Sequence, residues 1–137
     1  MKKDKEWIKK YIKRMFGISE INILVKECSY SMTYWPEKNA IIIDKKVLDD
    51  EKDKDAMLRV GLWHEVGHIK TFKWNNMNKI DNEVKATEWS LNEMLKRRYF
   101  GLYNKYLKIL KDGLGYLKNK AYIKVIKKIL KKYAPVA

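Results

Sequence analysis

The sequence predicts an α+β fold for this chain of 137 residues. Three short segments between residues 21 and 44 have the alternating or continuous apolar pattern of strands. Longer segments on both sides carry apolar residues at the spacing of amphipathic helices. We therefore expect a single domain, residues 1–137, with an N-terminal helix, a small three-stranded sheet and several helices after it. Residues 1–95 would form its core, and residues 96–137 a basic helical segment.

The N-terminal part predicts one helix and then the three strands. Residues 3–16 carry an apolar stripe between lysines, and Gly17 is suited to end this helix in a left-handed conformation. Strands are expected at residues 21–27, 28–35 and 40–44. Their lengths suit a small antiparallel or mixed sheet.

Four more helices are predicted after the sheet. Asp53 or Asp55 can cap the first of them, and Asn78 or Asp81 the second. Gly61 is a poor helix former inside the first, which favours close approach of a neighbouring sheet or helix at that position. The four helices are expected at residues 56–72, 82–99, 102–111 and 116–133, with a break at residues 112–115.

Composition limits the expected cellular location of the protein and the kinds of partner that it can bind. No segment approaches the roughly 18 consecutive apolar residues of a membrane span, and the charged N-terminus has no apolar signal core. A single cysteine, Cys28, excludes an internal disulfide, so we expect a cytoplasmic location. A net charge of +14 allows nucleic acid, an acidic protein or anionic lipid as a partner. The same abundance of lysine is also typical of the solvated surface of a thermophile protein.

Residues 64–68 read His-Glu-Val-Gly-His and contain both histidines of the chain. In a helix, a spacing of four places His64 and His68 on one face, where each ring can donate a nitrogen to one Zn²⁺ ion. Glu65 would then reach a metal-bound water as its general base. The plainer alternative is two histidines on a helix surface that bind no metal.

A catalytic zinc usually takes three protein ligands. The chain has no third histidine, and its single cysteine lies far from the motif. The third ligand would then be a carboxylate from the next predicted helix, which contains Glu83, Glu88 and Glu93. Glu83 and Glu88 lie about 140° apart around a helix, so they cannot both face one metal ion.

The motif and the following segment EVKATEWS resemble the gluzincin class of zinc metallopeptidases. In ImmA-like and CAAX-protease-type members, the helix after the motif carries the pattern E-x-E-A-x-x-aromatic-A. Glu83 matches the first glutamate, and Ala86 matches the alanine. Trp89 and Ser90 match the aromatic and the final small residue, whereas Lys85 replaces the second glutamate. That replacement removes a carboxylate of the family pattern.

Residues 3–95 look most like the minigluzincins, single-domain scaffolds similar to the catalytic domains of those peptidases. The resemblance implies a zincin-like fold and a zinc site formed by His64, His68 and Glu83. It implies a zinc metallopeptidase that hydrolyses peptide bonds through a metal-bound water, with Glu65 as general base. An edge strand within residues 29–34 would pair with an extended peptide or protein substrate.

Two further expectations concern residues after 95. Tyr99 and Tyr103 are candidates for a phenol that holds the oxyanion in such enzymes. Minigluzincins are similar in carrying C-terminal segments that can keep the enzyme latent, so residues 133–137 or 112–115 would lie across the zinc. The alternative function is a basic protein that binds nucleic acid or a protein partner through the last helix and has a structural or inactive zinc site.

Overall fold

The computed structural model describes residues 3–48, 54–75 and 78–137. These residues form five α-helices and a small three-stranded mixed sheet, which confirms the α+β prediction. The chain forms two compact units, Met1–Ile69 and Lys70–Ala137, and each is described by itself. Among the described helices, none has the length and apolar character that a membrane crossing requires.

The first unit begins with helix α1, Lys5–Phe16. The Asp4 side chain caps it by accepting a hydrogen bond from the Trp7 backbone N–H at 2.9 Å. Gly17 ends it with a φ of 69°, as the sequence predicted. The apolar stripe of the helix is buried because it faces the core of this unit, where Ile8 and Ile12 are fully inaccessible to solvent.

The sheet is formed by β1, Asn22–Lys26, β2, Met32–Trp35, and β3, Ala40–Asp44. Its strand order is β1-β3-β2, with β1 parallel and β2 antiparallel to β3. All five residues of β3 are buried, which explains why this central strand is the most apolar of the three. β2 lies at an edge of the sheet, as expected for the segment 29–34.

Helix α2, Lys54–Thr71, carries the HExxH motif. Its buried side includes Leu58, Leu62 and Val66. Trp63 is also fully buried, and its indole N–H donates a hydrogen bond to the Tyr11 hydroxyl of α1 at 3.0 Å. This bond and the apolar packing hold the motif helix in a fixed rotation within the first unit.

The second unit consists of α3, Lys79–Lys96, α4, Phe100–Gly113, and α5, Lys120–Lys132. The three helices bury one apolar face each. The core of this unit includes Ala86, Leu91, Met94, Tyr103, Leu107, Ile126, Ile129 and Tyr133.

Several boundaries differ from the predicted ones. The second strand is shorter and begins at Met32. The third helix begins at Lys79 because Asn78 caps it, accepting a hydrogen bond from the Asp81 N–H at 3.1 Å. The last helix begins at Lys120 because Asn119 caps it. Of the proposed caps of α2, Asp53 lies outside the described residues, and Asp55 lies in the first turn.

Candidate metal centre

The two histidines of the motif lie one turn apart on α2. Their rings are 4.7 Å apart between centroids and nearly perpendicular, at 89°. Both residues are half-buried, whereas the neighbouring Met57 is 54% exposed. The histidine face of the helix therefore begins at solvent and runs beside the buried face, so an ion held there would be reached from solvent.

Gly61 lies one turn before His64 and allows β2 to approach α2. A Cβ atom at this position would lie 2.9 Å from the Met32 Cε and 3.2 Å from its sulfur. The sequence favoured close approach of a neighbouring backbone, but the atoms that lie there are the flexible end of the Met32 side chain. This side chain of the edge strand packs against the part of the helix that carries the motif.

Glu65 is 5% exposed and points toward the same strand. Its Oε1 accepts a hydrogen bond from the backbone N–H of Tyr34 at 2.8 Å. A buried carboxylate needs such donors, because removal from water without a partner is costly. The bond also fixes the direction of the side chain relative to the edge of the sheet.

The register of β2 explains why the Tyr34 amide is available. The Asp44 N–H donates to the Ser31 oxygen at 2.9 Å, which makes these residues a hydrogen-bonded pair of the antiparallel ladder. Such pairs alternate with pairs that make no ladder bond. Met32 and Tyr34, opposite Ile43 and Ile41, therefore direct their backbone groups to the open edge.

Glu83 lies in the first half of α3 and is half-buried. It lines a cavity of about 510 Å³ in the second unit. The other residues that line this cavity come from the first turns of α3 and α5. They are Asn78, Lys79, Ile80, Asn119 and Tyr122.

His64, His68 and Glu83 form a group that could hold a metal ion. One ligand atom from each of them lies within 4.8 Å of the other two. In a tetrahedral site with bonds of about 2.1 Å, two ligand atoms lie about 3.4 Å apart, so a pair of these atoms would approach by up to about 1.4 Å when an ion binds. Two imidazoles with one carboxylate are donors that zinc accepts. The residues present fit a zinc ion.

The other two glutamates of α3 make ion pairs instead. Glu88 Oε1 accepts a hydrogen bond from Lys132 Nζ of α5 at 2.9 Å. Glu93 Oε1 accepts one from the Arg97 Nε, four residues later on the same helix, at 3.0 Å. Of the three glutamates that the sequence left open, Glu83 is the one whose carboxylate lies beside both histidines.

Tyr99 and Tyr103, the two candidates for a phenol that holds the oxyanion, lie in different surroundings. The Tyr103 hydroxyl donates to the Ala134 oxygen at 2.9 Å, and the side chain is buried. Burial, and then the nearby Tyr133, raises the pKa of Tyr103. Tyr99 is 41% exposed at the start of α4. Tyr122, which the sequence did not single out, lines the cavity beside Glu83.

Two features of the site could be recognised only from the folded structure. The Tyr34 contact is a backbone contact, so no side-chain pattern points to it. Tyr122 follows Glu83 by 39 positions, so no local pattern of residues indicates that the two line one cavity.

Comparison of the chain with protein-family models, curated proteins and solved structures found no significant match.

Proposed function

We propose that the chain is a zinc-dependent peptidase of the gluzincin type with a zincin-like catalytic core. The observation that carries the proposal is the group of His64, His68 and Glu83, with Glu65 directly after the first histidine. Two histidines, a carboxylate and an adjacent buried glutamate are the parts that metal-assisted hydrolysis of an amide requires.

His64, His68 and Glu83 would hold the ion. When bound, zinc supplies a Lewis acid that polarises a substrate carbonyl and lowers the pKa of water to about 7. Glu65 is the proton carrier in this proposal: a carboxylate oxygen takes a proton from the attacking water and later delivers it to the leaving amine. The Tyr34 amide holds that carboxylate at 2.8 Å, so the base is positioned before substrate binds.

The open edge of β2 is the proposed docking strand for substrate. An extended peptide can add to such an edge through main-chain hydrogen bonds. Met32 presents its backbone groups there and Tyr34 its carbonyl oxygen, while Glu65 accepts the Tyr34 N–H at the same edge. A peptide bound along β2 would therefore pass the general base with its backbone already aligned.

Metal analysis combined with matched variants tests this function. The wild type should bind about one zinc per chain and hydrolyse a mixture of unstructured peptides. Glu65→Gln should keep the metal and lose activity by at least about 100-fold, the usual contribution of a general base. Glu83→Gln should lower zinc affinity by more than about 100-fold, beyond the usual loss from a residue that only supports a ligand.

Glu88→Gln is the control for the ligand, because it lies on the same helix but pairs with Lys132. It should retain zinc and activity. If the wild type binds no zinc, or if Glu88→Gln and Glu83→Gln lose it equally, the proposed centre is wrong. If zinc binds at His64, His68 and Glu83 but no hydrolysis depends on Glu65, the chain is a zinc scaffold and not a peptidase.

A further inference from the structure

The positive charge of this chain is concentrated in its C-terminal third. Residues 96–137 contain 13 basic residues and 1 acidic residue, which leaves 18 basic and 16 acidic residues in the other 95 positions. The single acid, Asp112, is already paired with Lys108 at 2.8 Å. A uniformly lysine-rich composition would spread the charge along the chain, so the concentration needs its own explanation.

Helix α5 carries the densest part of this charge. It is the one described α-helix without an acidic residue, and all of its lysines are exposed. At 100° per residue they occupy an arc of about 140°. Among described residues, Lys132 alone of these lysines has an ion-pair partner, Glu88. The lysine face consists of Lys120, Lys124, Lys127, Lys128, Lys131 and Lys132.

The opposite side of α5 is used within the second unit. Ile126 and Ile129 are buried at 2% and 3% exposure, and Tyr133 bonds through its hydroxyl to Asn92 Oδ1 at 3.0 Å. Helices that bind in a membrane interface insert their apolar face into the acyl boundary. Because the apolar face of α5 is already packed, only its lysine face can meet a partner.

The charge per unit length of the lysine face is close to that of a phosphate backbone. The 13 residues of α5 extend about 20 Å, so its six lysines provide one cation per roughly 3 Å of helix axis. One strand of a nucleic-acid duplex presents one phosphate per about 3.4 Å of duplex axis. Lysines three and four positions apart also repel one another along the free helix. A row of phosphates would relieve that repulsion.

We propose that the lysine face of α5 binds the phosphate backbone of duplex nucleic acid without sequence preference. The helix contains no arginine, asparagine or glutamine, whose planar side chains make paired contacts to base edges, and lysine meets phosphate as a point charge. Binding therefore rests on charge alone, and its affinity should fall steeply with salt. This surface is independent of the proposed peptidase site and goes beyond it.

The test measures binding of the full chain to a fluorescent 20-base-pair duplex over a salt series. The key variant replaces Lys124, Lys127 and Lys131 with glutamine. Each lost phosphate contact costs a factor of about 8 at 0.1 M salt, so three should weaken binding roughly 500-fold and make the salt slope shallower by about 2.7. The same three positions changed to arginine should retain wild-type binding, because the charge is kept.

A matched control removes the same charge from another exposed helix face. Lys5, Lys10 and Lys13 of α1 are exposed, and their replacement with glutamine lowers the net charge equally. This variant should bind the duplex within about threefold of wild type, since its lysines lie outside the proposed surface. Circular dichroism confirms that each variant remains helical.

Three results would overturn the proposal. The wild type could show no salt-dependent duplex binding, or both glutamine variants could weaken equally, which would mean that net charge alone is responsible. The third is binding to vesicles that contain phosphatidylserine with the same loss in the α5 variant, without measurable duplex binding. That result would assign the lysine face to an anionic membrane surface.

Discussion

Replacing Asn104 with alanine should release the C-terminal end from α4. The Asn104 Nδ2 donates to the Val136 oxygen at 2.7 Å, and its Oδ1 accepts from the Val136 N–H at 2.9 Å. This side chain thus binds a peptide unit as a strand partner would. Each such bond contributes about 0.5–1.5 kcal/mol, so we expect the free energy of unfolding to fall by about 1–3 kcal/mol.

The assay is urea unfolding in two backgrounds, the full chain and a chain that ends at Tyr133. Deletion of residues 134–137 removes both partners of Asn104 and the acceptor of the Tyr103 hydroxyl. Asn104→Ala should then have almost no further effect in the short chain, because the two hydrogen bonds that the substitution removes are already absent there. An equal cost in both backgrounds would refute this reasoning, since Asn104 would then act through other contacts.

The same deletion tests the proposed latency. Truncation after Lys111 would also remove α5, whose Ile126 and Ile129 are buried, so lost activity would have two explanations. Deleting four residues avoids this. If the end keeps the enzyme latent, peptide hydrolysis should rise in the short chain. Unchanged hydrolysis with zinc bound would mean that the end stabilises the fold and does not regulate the site.

Three further predictions concern stability. Tyr11→Phe should lower the free energy of unfolding by about 1–3 kcal/mol, measured in urea, because the buried Trp63 indole loses the hydroxyl that accepts its hydrogen bond; a cost near zero would contradict this. Gly17→Ala should cost about 1 kcal/mol, since φ is 69° and no neighbouring atom would meet the new methyl group; an unchanged Tm would exclude backbone strain as the cause. Burial raises the pKa of both Tyr103 and Tyr133, so the folded state holds these protons more tightly than the unfolded state. Their contribution is complete below pH of about 10 and is lost as the pH rises further, so thermal unfolding should shift downward there, and a flat profile would refute it.

Local signals predicted much of the fold. The α1 helix and its end at Gly17 follow from spacing and from one residue type that accepts a positive φ. The buried β3 follows from its run of isoleucines. The last helix was predicted to begin at residue 116. Tyr116 and Leu117 extend its apolar spacing, although they precede the observed first residue, Lys120. Asn119 nevertheless sets the start, since a cap decides where backbone N–H groups are satisfied.

The candidate site was also only partly predictable from local signals. His64 and His68 come from one helix, so their spacing alone predicts that they share a face. Periodicity alone left Glu83 and Glu88 open, and the resemblance favoured Glu83. The structure favours Glu83 as well, because its carboxylate lies within 4.8 Å of both histidine rings, whereas Glu88 pairs with Lys132, 44 residues away. The support of Glu65 by the Tyr34 amide depends on strand register, which no short segment encodes by itself.

The hydrogen bond between Glu65 and Tyr34 has a consequence for self-association. An exposed strand edge can recruit strands from other molecules, and a charge directed at the edge is one way in which proteins prevent this. Glu65 places a carboxylate on an amide that would otherwise be open to another copy of β2. Removing the side chain would therefore do more than remove a proton acceptor, because it would leave β2 with an unprotected amide and favour edge-to-edge aggregation.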